Sequence, residues 1–281
     1  MLIVHTVTEL QQLLQSSVEQ KKSIGFVPTM GALHLGHLAL ARASRGQCAI
    51  TVVSIFVNPT QFNNPDDLRR YPRSLKQDCN LLLATGVDIV FAPNESEIYP
   101  QPDRRRFHFG RLDKVMEGKY RPGHFNGVAQ VVSRLFEIVQ PTHAFFGEKD
   151  FQQVAIVRAL TEQMGGRPLI IACPVVRETD GLAMSSRNAL LTGVQRAHAP
   201  LIAATLVRAQ AKTATTSVAA LRQWVADTIN ADEELEVEYV EIVDERTLQP
   251  IAHWHDAQHP RLCVAVYAPP VRLIDNIDLK P

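Results

Sequence analysis

Apolar, β-branched runs alternate with helix-periodic stretches through the first two-thirds of the chain. Residues 24–28, 49–57, 87–92, 143–146 and 169–176 form short continuous apolar runs and predict strands. Residues 35–45, 75–84, 127–139 and 151–164 repeat apolar positions at helical spacing and predict the helices between them. Strands that are apolar on both faces and separated by helices imply a parallel sheet covered on both sides, a Rossmann-like, doubly wound α/β fold. Sheets of this kind hold ligands at the C-terminal ends of their strands. Beyond about residue 188 the texture changes. Amphipathic helices at 191–212 and 217–230 precede strands at 237–245 and 262–269 that alternate as an antiparallel pair does. The pattern predicts a larger domain over 1–184 and a smaller α+β domain over 185–281, with the polar segment 94–106 as an exposed loop.

Composition narrows the function class without changing this picture. The 281 residues are 46% hydrophobic and 21% charged, as in an ordinary globular protein. Lys plus Arg and Asp plus Glu both total 29, which argues against a broad nucleic-acid surface but permits a local phosphate pocket. Cysteines 48, 79, 173 and 263 have neither CxxC nor zinc-ligand spacing and suit a reducing compartment. No apolar run reaches 18 residues, and "MLIVHTVTEL" has no basic leader. The expected location is the cytoplasm, with no membrane partner.

The segment "GFVPTMGALHLGH" places His34 and His37 where a strand passes into a helix. The pair could ligate a metal, pack, or donate to phosphate. No third metal ligand stands out, whereas Gly31, Gly36 and a helix N-terminus favour close approach of an anion. There is no GxxxxGK[ST] and no GxGxxG, so neither a Walker loop nor a dinucleotide fingerprint is present. Three more polar clusters fall at predicted strand ends. "FVNPTQF" carries Asn58 and Gln61, and "FFGEKDFQQ" carries Lys149, Asp150 and the amides Gln152 and Gln153. "DGLAMSSRN" carries Ser185, Ser186 and Arg187, suited to phosphate through hydroxyls and a bidentate guanidinium. Each is weak alone, since turns also use such residues; four at the ends of one sheet make a shared pocket the economical explanation.

Together with "DLRRYPRSLKQD", "RPGHFNGV" and the terminal "RLIDN", these motifs occur in the order seen in the pantoate–β-alanine ligases, and the chain resembles that family along essentially its whole length. HxGH alone indicates only the wider nucleotidylyltransferase superfamily. The resemblance implies an ATP-dependent ligase that activates (R)-pantoate as an adenylate, releases pyrophosphate, and transfers the acyl group to β-alanine with release of AMP. It implies an ATP wall of Met30, Gly31, Ala32, Leu33, His34, Leu35, Gly36 and His37. A second ATP segment would be Gly147, Glu148, Lys149 and Asp150, and a third Val176, Met184, Ser185, Ser186 and Arg187. The catalytic groups would be His34, His37, Lys149 and Arg187, with His37 the usual proton donor. The third segment reads MSSR, so its cation must be Arg187. Substrate amides would be Gln61 and Gln153, with Asn58 beside them; Asp78 is the candidate Mg2+ ligand, and His124 either meets substrate or orders a loop. A homodimer is expected. A transferase that stops after AMP transfer and a nucleotide-binding module without turnover remain as alternatives.

Overall fold

The computed structural model describes residues 1–62 and 65–279. Its larger sheet contains β1 (Leu2–Val4), β2 (Ile24–Thr29), β3 (Ile50–Ile55), β4 (Ile89–Phe91), β5 (His143–Gly147) and β6 (Leu169–Cys173). All neighbours pair in parallel, in the order β1-β4-β3-β2-β5-β6. Successive residues point to opposite faces, so the apolar runs serve two cores. Phe26 and Val52 face a layer containing Leu10, Phe125, Val128 and Ile156, while Val27, Val53 and Val90 face Leu38 and Leu82. Phe26, Phe91 and Phe145 are almost wholly buried, each contributing about 1.5–3 kcal/mol relative to exposure.

The chain winds outward from β2 in both directions, through β3 on one side and β5 on the other. That reversal opens a crevice above the C-terminal ends of β2 and β5, the usual ligand position in such sheets.

The second sheet is fully antiparallel and has three strands: β7 (Glu236–Asp244), β8 (Pro260–Ala268) and β9 (Val271–Asp278). Val240, Ile242, Leu262 and Val264 pack under the helices Pro200–Gln210 and Val218–Asn230. The opposite face, through Tyr239, Val243, Cys263 and Ala265, rests on Met116 and Phe151 of the parallel half. All four cysteines are free and buried.

Several expectations need correcting. The antiparallel pair is a three-stranded sheet, because "VRLIDNID" supplies β9. The helix expected over 191–212 is two, Gly193–His198 and Pro200–Gln210, since Pro200 has no N–H for a continuous ladder and instead opens the second helix. The segment 94–106 is not simply an exposed loop. It contains the helical turn Glu95–Ile98, capped by Asn94, and buries Ile98 completely. β1 and the helix Val7–Glu19 were not anticipated.

Candidate active site

A cavity of about 230 Å³ sits in the crevice, and the four polar clusters converge on it. Met30, His34, Gly36 and His37 form one wall; Gly147, Lys149, Asp150 and Gln153 come from the end of β5; Val176 and Met184 to Arg187 follow β6. Asn58 and Gln61 enter from the end of β3. Gly31, Ala32, Leu33, Leu35 and Glu148 lie outside the lining.

The histidine wall is built by helix capping. His34 is the N-cap of the helix Leu35–Gln47, and its Nδ1 accepts the Gly36 N–H at 3.2 Å. The Nδ1 of His37 in turn accepts the His34 N–H at 3.4 Å. A Cβ on Gly36 would stand 2.9 Å from the His34 ring, so only glycine admits the folded-back imidazole. Because both Nδ1 atoms accept, each neutral ring carries its proton on Nε2, the ring nitrogen left for a ligand. Burial first, then Lys149, depresses His34 to about 4; burial, His34 and Lys149 depress His37 to about 3. Both are therefore neutral donors at pH 7.

Behind this wall Asp78 is buried and accepts the N–H groups of Ala32 (3.0 Å) and Leu33 (2.7 Å). Ala32 holds a positive φ of 51°, and these two hydrogen bonds fix the loop against its strain. In this structure both Asp78 oxygens are engaged by backbone and the residue does not line the cavity, so what it visibly does is hold the loop that carries the histidine wall. Among the described residues no group of three or more His, Cys, Asp or Glu side chains could hold a metal.

On the opposite side a short hairpin follows β6. Met184 donates its N–H to Val176 O, and Arg177 bridges Ala183. Ser185 accepts the Arg187 N–H, Ser186 Oγ lies 3.2 Å from Tyr71 Oη, and the Arg187 guanidinium stands over the Tyr71 ring at 6.0 Å. The Lys149 ammonium is 3.5 Å from Asp150.

At the amide end, Asn58 is fully engaged. Its Nδ2 donates to Gln61 Oε1 and Gly127 O, and its Oδ1 accepts from Tyr99 Oη and Thr60. It braces Gln61, whose Nε2 meets Met30 Sδ at 2.9 Å. The turn Pro59–Gln61 packs so tightly on the helix His124–Val139 that a Cβ on Gly127 would lie 2.3 Å from Thr60 O. Of the two neighbouring amides, Gln153 faces the cavity; Gln152 is spent on Leu112 O, Val115 O and the Glu117 N–H.

Sequence reasoning missed Arg121 and Glu117. Arg121 lines the cavity and donates to His124 Nε2 at 3.3 Å, so His124 donates from Nδ1 to Gln61 O at 2.9 Å. His124 thus both borders the cavity and holds the Gln61 turn; burial and Arg121 lower it to about 4. Glu117 is buried beneath Arg121 and is clamped by both Arg272 Nη atoms (2.8 and 2.7 Å) and by Tyr239 Oη (2.9 Å). Burial works to raise this carboxyl, but Arg272, Arg121 and Tyr239 together hold it at about 2. A lone Glu in "MEGKYRPGHF" carries no signal of that role.

A parallel α/β crevice walled by a capping HxGH pair and fringed by Lys149 and Arg187 defines the nucleotidylyltransferase-like, adenylate-forming class. The family model described as pantoate-beta-alanine ligase matches residues 2–278. The chain belongs to the pantoate–β-alanine ligase family. It is 51% identical to the pantothenate synthetase of Phocaeicola vulgatus over all of both chains. It is 50% identical to that of Bacteroides fragilis, over 100% of this chain and 99% of the relative. Among solved structures, pantothenate synthetase from Thermus thermophilus superposes with a TM-score of 0.93 at 42% identity, over the whole of both chains. The pantoate-beta-alanine ligase of Francisella tularensis, complexed with beta-gamma ATP and beta-alanine, gives 0.84 at 35% identity, over 100% of this chain and 98% of that one.

Proposed function

We propose that this cavity joins (R)-pantoate to β-alanine in two steps, through pantoyl adenylate. In the first, a pantoate carboxylate oxygen bonds to the α-phosphorus of ATP, the bond from that phosphorus to the β-bridging oxygen breaks, and pyrophosphate leaves. In the second, the β-alanine amine bonds to the acyl carbon and gives up a proton, the bond from that carbon to the phosphate oxygen breaks, and AMP departs. Neither step requires a covalent bond to the protein. Magnesium is read as part of the substrate, carried in by the ATP phosphates.

The observation that carries this reading is the tautomer lock on His34 and His37. Two neutral Nε2–H donors, already oriented, meet phosphate charge as it develops and need no reorganisation. Their low pKa values favour hydrogen-bond donation over release of a proton from an imidazolium. Lys149 and Arg187 add the cations that leaving pyrophosphate needs, and Ser185 and Ser186 add hydroxyls. Gln61 and Gln153 are read as holding pantoate, with Arg121 as the remaining cavity cation for a substrate carboxylate. Residues 1–184 and 185–281 are read as two units, the second closing over nucleotide. A cytoplasmic homodimer accompanies the reading, the location supported by four free buried thiols.

The test supplies ATP, pantoate and β-alanine and follows AMP and pyrophosphate. AMP formation that depends on β-alanine supports the ligase. Pyrophosphate release with no AMP formed on adding β-alanine identifies a transferase, and nucleotide binding without turnover a silent module.

A further inference from the structure

The motif "RLIDN" lines no part of the large cavity, yet it is built into β9 with two buried polar residues, Asp275 and Asn276, at 4% and 3% exposure. Buried polar groups are costly unless satisfied, and these two are satisfied by the segments that carry the phosphate-facing residues. Asn276 Nδ2 donates both of its hydrogens, to Glu148 O at 2.9 Å and Lys149 O at 3.1 Å. Its Oδ1 accepts from Arg261 Nη1 at 2.8 Å, and Arg261 in turn stands 4.3 Å over the Phe151 ring. Asparagine is the side chain that fits this position, with two donors for two consecutive carbonyls and one acceptor for a guanidinium.

Asp275 does the same for the other loop. Its carboxylate takes Arg177 in a fork, at 2.7 and 3.0 Å, while also accepting the Asn276 N–H at 2.8 Å. Arg177 is the first rung of the hairpin that presents Met184 to Arg187, and it donates to Gly181 O in the turn at 3.1 Å. Lys149, Ala183, Ser185 and Asp275 border one small gap between the two segments.

We infer that Asp275 and Asn276 are positioning residues for the adenylation step: adjacent side chains of one strand set the register of the Lys149 segment against the hairpin bearing Ser185, Ser186 and Arg187. Neither touches the reacting atoms. This rests on the reading of Lys149 as a phosphate contact.

The test measures single-turnover pantoyl adenylate formation at saturating ATP and pantoate in the full-length protein. Wild type, Asn276→Ala, Lys149→Ala and the double variant are compared, with calorimetric pantoate binding and thermal midpoints recorded for each. Asn276→Ala is expected to slow the step about 10- to 100-fold, the effect of a misplaced catalytic group, with pantoate affinity within about twofold of wild type. In the Lys149→Ala background the same change is expected to cost at most about threefold, because the group it positions is gone. Full multiplicative loss in the double variant overturns the proposal, as does weaker pantoate binding at an unchanged rate. Asn276→Asp serves if the alanine variant does not fold: it is isosteric, keeps Arg261 as partner and removes both donors, and the same slowing is expected. A wild-type rate in Lys149→Ala would overturn the phosphate reading of Lys149 and the proposal with it. A slow Lys149→Ala with independent Asn276→Ala loss overturns the proposal alone.

Discussion

The parallel sheet delivers side chains to the cavity directly, from the loops that follow β2, β3, β5 and β6, whereas no lining side chain among the described residues lies beyond Arg187. The antiparallel sheet reaches the same cavity only at one remove, through Arg272 on Glu117, Asp275 on Arg177 and Asn276 on the Lys149 segment. The two regions also handle charge in opposite ways. The histidine wall is kept neutral by burial, while the junction keeps a buried ion cluster fully charged by pairing it. Contact and placement are thus divided between sheets, and substitutions on the two sides are expected to fail differently.

The largest effect belongs to the junction. Glu117→Ala leaves Arg272 beside Glu238 alone and removes the partner of Tyr239, and breaking such a buried pair costs about 3–5 kcal/mol. Urea unfolding measures this, and a loss below about 1 kcal/mol would remove the junction from the comparison. On the wall, His37→Ala is expected to lower the rate of adenylate formation about 10²- to 10³-fold, as loss of one preorganised donor does. Its folding stability should fall by no more than a cap's share, about 0.5–2 kcal/mol. Equal losses in rate and in pantoate affinity would contradict the assigned role.

Acid separates the two regions further. His34, His37 and His124 have folded pKa values of about 4, 3 and 4 against an ordinary 6.5, so the unfolded chain takes up protons that the folded chain refuses. Stability present above pH 6.5 is therefore lost as pH falls through the 6.5–3 window. Glu117, at about 2 against 4.5, stabilises above pH 4.5 and surrenders that contribution between 4.5 and 2. Urea midpoints taken from pH 7 to 3 should show the histidine phase first. His124→Gln is expected to flatten its upper part and Glu117→Gln its lower part; one unaltered curve for both variants would merge the two regions into one. The smallest effect tests the antiparallel half alone. Ser217→Ala removes the Ala220 N–H cap of an exposed helix start and should cost about 1 kcal/mol with no change in turnover.

The elements with a clean period were readable from sequence. β3 and β5 are apolar on both faces, and "GFVPTMGALHLGH" carries its strand, loop and cap in order. What escaped was structure whose signal is short or contradicted. β1 is three residues long, too few to show a period. The helix Val7–Glu19 did carry a legible start, the capping box between Thr6 and Glu9. β9 hid because Asp275 and Asn276, consecutive residues on opposite faces of the strand, put polar groups into buried positions on both sides, so the very groups that give the strand its role broke its pattern. At the site, the residue types that gather in the cavity were visible, but the destinations of their partners were not. Asp78 and Asn58 look like ligand groups in sequence, and only the distances to Ala32, Leu33, Gln61 and Gly127 show that they also brace the loops around the cavity.

The four thiols offer a practical consequence. Cys48, Cys79 and Cys173 share one packed layer of the parallel half, while Cys263 belongs to β8 and packs in the cluster between the two sheets. Burial raises all four, Cys263 to about 12, so none presents thiolate to a reagent while its layer stays shut. A pulse of alkylating agent followed by mass spectrometry therefore reads the molecule as a set of four natural alarms. The order in which they sound tells whether the seam between the sheets parts before either core does.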